Sequence, residues 1–368
     1  MRLKLLILFF LNLSLLSFSQ NAILSDKAKI SIFTCGKGEE LYTTFGHTAI
    51  RIKDDATQLD VVFNYGQFDF REGNFYVKFV KGNLQYSIGV CSFDDFILEY
   101  QQENREVVEQ TLRLTQNQKQ QLFDALLSAQ FSPDESHYTY KFIDRNCTTM
   151  VVEKINALLQ KPLITKVDDK NISYREVLYP KFENYFWYKL GINIIFGTKV
   201  DQKSEKLFLP YELLTSLDQL KINGLSIVEK KEVIVPDQQP RIGFQFFNSV
   251  YFVSLLLLIL FVLNKPFATN TYFIVAGLLG VFLCLVGFYS LHEELLWNYN
   301  ALLFNPLLLI LPFIKNQNLK KKLLIFCAVL LFVYVLLMLS KPHLLLMLPI
   351  IVYHLSTFLR MLAVSKKA

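Results

Sequence analysis

The chain has 368 residues, 52% of them hydrophobic, with 33 Phe and 18 Tyr. That composition excludes a disordered chain, because disordered segments are poor in aromatics and rich in charge, and a mean hydropathy of +0.30 is high for a wholly soluble protein. The net charge of +6 also argues against a nucleic-acid partner. Nine Lys/Arg against two Glu lie from Val250 onward, and Arg2 and Lys4 open the chain, so the middle is net negative and the positive charge belongs to membrane flanks.

In chain order, residues 1–19 read as a secretory signal. Arg2 and Lys4 precede an apolar run from Leu5 to Leu16 that is too short to span a bilayer comfortably, and Ser17-Phe18-Ser19 supplies small residues before a cut near Gln20. An uncleaved anchor is the alternative. No Cys follows the cut, so the chain is not itself a lipoprotein. Residues 29–34, 47–53 and 60–65 are strand-like, and Asp54-Asp55-Ala56-Thr57 supplies a turn between the last two. Residues 75–90 are aromatic and β-prone. Residues 94–103, 116–130 and 147–159 read as helices, the last capped by Asn146 or Asp144. These elements predict an α+β domain. Residues 160–246 resist assignment and end in a Pro/Gln-rich linker at 236–240.

Five apolar segments follow, at 247–264, 271–290, 301–314, 323–340 and 344–362. Four are near the roughly 20 residues that a membrane span needs, and the third is short. They predict an all-α membrane domain of about five transmembrane helices. Lys265, the cluster Lys315, Lys320, Lys321 and Lys322, and the terminal Arg360, Lys366 and Lys367 mark cytoplasmic ends. That assignment places residues 20–246, and the loop 291–300, outside the cytoplasm and the C-terminus inside it. The division is therefore 1–19 signal, 20–246 exported domain and 247–368 membrane domain.

Metal-ligand spacings and phosphate-binding loops are absent, and no cofactor is expected. Three cysteines, Cys35, Cys91 and Cys147, fall in the exported part. Their number is odd, so one stays free or pairs between chains. Pairing Cys35 with Cys91 would spare Cys147, and the sequence does not choose. Cys147 begins a helix, where unpaired N–H groups and the helix dipole favour a thiolate and can bind an oxyanion. His47 begins a strand whose alternation puts it on the face of Ala49 and Arg51. Pairing with 60–65 brings Asn64 close to that face, and a one-residue slip would substitute Tyr65. A strand His and a helix-first Cys, both exported, suggest a Cys–His nucleophilic site.

The motifs Thr34-Cys35-Gly36, Leu41-Tyr42, Phe45-Gly46-His47, Asn64-Tyr65-Gly66, Asn146-Cys147-Thr148-Thr149 and Phe208-Leu209-Pro210 resemble those of an exported family of Bacteroidetes. With the C-terminal membrane domain, the chain resembles the Bacteroides-type lipoprotein N-acyltransferase (Lnb) family. His292 and the stretch from Asn298-Tyr299-Asn300 to Asn305-Pro306 look like its outer-loop pattern. Lys37 stands where that pattern has Pro, and Glu293 follows His292 where Pro is usual. The resemblance implies a permuted papain-like (NlpC/P60-like) fold, with Cys147 as nucleophile and His47 as base; Asn64, which the register brings beside His47, is the expected third catalytic residue. Tyr42, Asn146 and His292 are expected to bind or position substrate. The implied reaction moves a fatty acyl chain from a membrane phospholipid or a lipoprotein's glyceride, through a thioester, to the N-terminal amine of a lipoprotein. Competing classes are a thiol amidase or peptidase acting on peptidoglycan and a non-catalytic membrane scaffold. Asp144 and Asp201 read as caps or surface charges.

Overall fold

The computed structural model describes residues 23–364 except 69–70, 72, 133–135 and 241–242. The signal-like stretch and Lys366–Lys367 lie outside the described residues. Strands β1 (Lys29–Cys35), β2 (His47–Asp54) and β3 (Leu59–Gln67) form an antiparallel meander. Period-two alternation sorts their side chains. Ile30, Ile32, Ile50, Ile52 and Phe63 face one core, and Phe33, Cys35, Ala49 and Val62 face another. Both faces are covered, so these strands are apolar on both sides.

The β-prone stretch 75–90 is a helix and a strand. Helix α1 (Phe75–Lys81) ends at Gly82, whose left-handed backbone (φ 74°) lets its N–H cap the last turn, and β4 (Gln85–Ser92) follows. Helix α2 (Phe93–Gln102) is capped by the Ser92 hydroxyl. Strand β5 (Val107–Leu112), which local pattern did not announce, carries a buried Glu109 that meets Arg51. Helix α3 (Gln116–Phe131) starts at a Thr115–Gln118 capping box. After β6 (His137–Thr139) come α4 (Cys147–Leu158), α5 (Tyr174–Leu178), α6 (Phe186–Ile195) and α7 (Pro210–Gln219). Strand β7 (Val228–Val235) then joins the far edge, with Lys230, Lys231 and Glu232 exposed there. The sheet order is β6-β4-β3-β2-β1-β5-β7, antiparallel throughout. Helices α3, α4 and α7 pack on the Ile30/Ile50 face, and α2 packs on the Phe33/Ala49 face.

The five apolar segments are all helical in part, but they are not five equal spans. Helices α9 (Pro266–Tyr289), α10 (Gln317–Met338) and α11 (Leu344–Val364) are long and apolar enough to cross a membrane. Helix α8 (Val250–Leu263) has 14 residues, about 21 Å of rise, which is short of the ~30 Å hydrocarbon core. The 301–314 segment is broken into Asn300–Leu303, Leu307–Ile310 and a 3-10 turn at Leu311–Phe313. The break falls at Asn305-Pro306, where proline cannot donate to the preceding turn.

Polar contacts join the two parts. Asn298 Nδ2 donates to the carbonyls of Ile194 (2.8 Å) and Ile195 (2.7 Å), and Asn300 Nδ2 donates to that of Asn193 (2.9 Å). These amides satisfy carbonyls that the end of α6 leaves open. Asp201 is buried here rather than on the surface. It accepts from Arg175 Nε at 2.8 Å and from the Tyr299 hydroxyl at 2.8 Å.

Candidate active site

Helix α4 starts at Cys147 because Asn146 caps it. Asn146 Oδ1 accepts from the Thr149 N–H (3.0 Å), and Thr149 Oγ1 accepts from the Asn146 N–H (2.7 Å). That capping box leaves the Cys147 and Thr148 N–H groups as the helix-start donors it does not use. The helix is fastened to the sheet one residue on, where the Thr48 and Thr148 hydroxyls bond at 2.9 Å in a buried setting. Neighbouring positions on the two elements, His47 and Cys147, are thereby brought together.

His47 and Asn64 lie on one face, as the alternation requires: Ala49 pairs with Asn64, and His47 Nε2 is 3.2 Å from Asn64 Oδ1. The alternative partner, Tyr65, points into the opposite core. The Asn64 amide is oriented by its Nδ2, which donates to Val62 O and to Cys91 Sγ, both at 3.4 Å. Its oxygen can only accept, so Nε2 of neutral His47 carries the hydrogen and Nδ1 is the nitrogen left for the thiol. Gly66 sits at the register irregularity between Tyr65 and Gln67 with φ +97°. A side chain there would stand 3.8 Å from Cys147 Cβ, so glycine keeps the thiol's surroundings open.

Electrostatics push Cys147 and His47 each toward the charged form. Burial opposes ionisation of the thiol. The His47 charge and hydrogen bond, the Thr48 backbone N–H and the Thr148 hydroxyl outweigh it, and the thiol titrates below its ordinary value. Burial likewise opposes the imidazolium, yet the Cys147 charge and hydrogen bond, with the bond to Asn64, raise His47. The other exported cysteines are held neutral. Burial pushes Cys35 up to about 12 and also raises Cys91. All three thiols are free, so the open pairing question closes with no bridge among them.

Aromatic rings wall the thiol. Tyr42 meets Phe68 edge-on (5.9 Å), Phe68 meets Tyr86 (5.3 Å), and Tyr86 stacks on Tyr140 (4.4 Å). Tyr138 is buried, and its hydroxyl has no hydrogen-bond partner among the described residues. That hydroxyl is 3.9 Å from the Cβ position of Gly66, which also borders Cys147. Burial, then the Cys147 charge, push the Tyr138 phenol up, so it stays protonated and can donate.

Of the expected substrate-binding residues, Tyr42 lies on the exposed turn Leu41–Thr43 at the far end of this wall. Asn146 is committed to the fold: besides capping α4, its Nδ2 donates to Phe142 O (2.8 Å) and Phe208 O (2.9 Å). His292 contacts α1, its Nε2 lying 2.9 Å from Phe79 O. The outer loop reaches the nucleophile's own loop through its neighbours. Buried Glu294 accepts from the Ile143 N–H at 3.3 Å, and Glu293 pairs with Lys199 (2.8 Å) and Lys141 (3.2 Å). Lys199 and Lys206 both pair with Asp144, which bridges them instead of capping α4. Sequence reasoning missed Tyr138 and read Glu294 as a water-facing charge of the outer loop. Gly66 was visible only as part of the Asn64-Tyr65-Gly66 motif, and nothing in the spacing pointed to the other two.

Residues 16–179 match the family model described as the Lnb N-terminal periplasmic domain, a stretch that contains His47, Asn64 and Cys147. Comparison with curated proteins and with solved structures gives no match. The chain is thus a membrane protein whose N-terminal part is similar to the Lnb periplasmic domain and whose C-terminal part carries three helices long and apolar enough to cross a membrane.

Proposed function

We propose that the protein is a thiol acyltransferase that moves a fatty acyl chain from a membrane lipid to the N-terminal amine of lipoproteins. The observation that carries this reading is the relay Cys147–His47–Asn64, with the thiol at a helix start, lowered in pKa and opposed to an imidazole whose other nitrogen is already bonded. The match to the Lnb periplasmic domain and the adjoining apolar helices support a lipid-borne substrate. A His on a strand preceding a Cys on a helix is the order of a permuted papain-like site, and we read the domain that way.

In the first half-reaction Cys147 Sγ attacks the ester carbonyl carbon and Nδ1 of His47 holds the thiol proton. The oxyanion is met by the Cys147 and Thr148 N–H groups and the Tyr138 hydroxyl, donors fixed before the charge develops. The C–O bond then breaks, the proton passes from Nδ1 to the departing oxygen, and a lyso-lipid leaves a thioester. In the second half the lipoprotein's α-amine attacks the thioester carbon and gives its proton to Nδ1. The C–S bond breaks, the proton returns to sulfur, and the product is an amide. Asn64 keeps the ring in one tautomer throughout. Confining both substrates to one leaflet raises their effective concentration at the thiol.

In this reading the protein sits in the inner membrane with its catalytic domain in the periplasm. Lys265, Lys320–Lys322 and Arg360 then mark the cytoplasmic side, and the C-terminus is cytoplasmic. The test is to express the protein in a strain lacking lipoprotein N-acylation and to weigh a lipoprotein's N-terminal peptide. One added acyl chain is expected, absent with Cys147→Ser or His47→Ala. Unchanged lipoprotein mass with the wild-type protein refutes the proposal, and cleaved wall peptides in its place would establish the amidase.

A further inference from the structure

Helix α1 is an excursion between β3 and β4, and it ends on the membrane part of the chain. Its last turn is held there through its backbone. The Ser290 hydroxyl donates to Val80 O (2.7 Å), the Leu291 N–H donates to Lys81 O (2.7 Å), and His292 Nε2 lies 2.9 Å from Phe79 O. All three partners directly follow α9, a helix of spanning length. Apolar side chains at this junction are exposed: Val77 is 56% and Val80 38% exposed, beside Phe288 at 91% and Leu291 at 53%. Exposed apolar side chains this concentrated mark a binding surface. A cation shares it, Lys81, lying 5.8 Å from the Tyr289 ring centre.

The root of the same excursion is the active-site wall. It leaves β3 at Gly66–Gln67 beside Cys147 and returns at Tyr86, which stacks on Tyr140. Five residue steps separate Lys81 from Tyr86, at most about 18 Å of chain.

We propose that α1 lies in the outer-leaflet interface, its Val77 and Val80 in the headgroup–acyl boundary with Lys81 beside them reaching the phosphates, so that it holds the mouth of the Cys147 site at the depth of a lipid ester. The occupant is the bilayer surface itself. The last turn of α1 is bonded to the residues that directly follow α9, and Lys81 suits anionic headgroups. Lipid over Val77 and Val80 takes their exposed apolar area out of water. The purpose assigned to the helix rests on the acyl-transfer reading, but its position can be tested without it.

The full chain, with Trp187→Phe and Trp297→Phe, is reconstituted in phosphatidylethanolamine/phosphatidylglycerol vesicles, and a reporter is introduced as Val77→Trp or, separately, Val80→Trp. Leu225→Trp, on the exposed two-stranded hairpin of the soluble part, is the control. Phospholipid brominated near the carbonyl end of its chains is expected to quench either reporter at least about threefold more than the control, because that is the depth at which interfacial helices lie. Quenching equal to the control for both reporters overturns the proposal. In acyl transfer, Val77→Asp/Val80→Asp is expected to lower the ratio of turnover in bilayers to turnover of a soluble short-chain ester by about tenfold, the equivalent of uncovering roughly one Val side chain. An unchanged ratio overturns the entry role. If the wild-type protein transfers no acyl chain, the functional reading fails while the quenching result still decides where α1 lies.

Discussion

Replacing Asn64 by Ala tests the relay at its least obvious member. Asn64 touches neither the thiol nor a substrate in this scheme; it acts through His47, whose Nε2 lies 3.2 Å from its oxygen. A hydrogen bond to a charged partner is worth about 1.5–3 kcal/mol, and 3.2 Å is at the long end of the N–H···O range, so about 1.5 kcal/mol is the appropriate figure. At ~1.4 kcal/mol per decade of rate, Asn64→Ala is expected to slow acyl transfer about tenfold. His47→Ala removes the base and is expected to cost at least ~10²-fold. The assay is acyl transfer to a lipoprotein peptide together with the rate of Cys147 alkylation against pH. A structural role alone would lower the amount of folded protein without moving the alkylation profile. A positioning role moves the profile up in pH, because the imidazolium that lowers the thiol is less well held, and Asn64→Asp, which restores an acceptor, should bring it back. A folded Asn64→Ala protein with unchanged turnover and an unchanged alkylation profile would refute the reasoning.

Cys147 should be alkylated with a midpoint below the ordinary thiol value of about 8.5. His47→Ala should raise that midpoint, since the imidazolium charge is the largest influence lowering it. Cys35, pushed up to about 12 by burial, should stay unlabelled on the same timescale, as mass spectrometry of labelled peptides would show. Gly46→Ala places a Cβ 2.4 Å from the Cys35 carbonyl oxygen at a φ of +81°. A left-handed, clashing position of this kind should destabilise the domain by at least about 2 kcal/mol, read as a lowered thermal midpoint. Asp144 is held below the usual carboxylate range by Lys199 and Lys206 against the opposing effect of burial. Its stabilisation is therefore present above the unfolded value of about 3.9 and is lost as pH falls through the depressed folded value. Thermal unfolding below pH ~4 should show a steeper acid loss in the wild type than in Asp144→Asn.

Local rules carried much of this protein into view. Period-two alternation set His47 on the Ala49 face, turn chemistry at 54–57 set the β2–β3 register that presents Asn64, and a capping residue followed by an apolar stripe set Cys147 at the first position of a helix. Each of these depends on residues within a few positions, which is why the relay's members were legible before their geometry. The parts that escaped are those set by contacts far apart in sequence. Glu109 makes β5 look like a poor strand until Arg51, 58 positions away, neutralises it. Edge strand β7 is charged on its exposed side, as edges are, and shows its partner only through β5.

Residues 75–90 have the composition of a strand throughout. Their first half becomes a helix where residues 290–292 receive its last carbonyls. Asp201 is a cap or surface charge by sequence and a buried junction carboxylate in the fold, because Arg175 and Tyr299 converge on it. Hydropathy likewise located five apolar segments but not their lengths as helices, since Pro306 breaks one and the chain reverses after Leu263 in another. Sequence alone thus determined which groups could do chemistry, for capping and alternation act locally. Only the tertiary structure decided what surrounds them, including Tyr138 near the thiol and α1 at the end of α9. Those neighbours come together through packing between segments up to 200 or so positions apart, for which a linear pattern holds no signal.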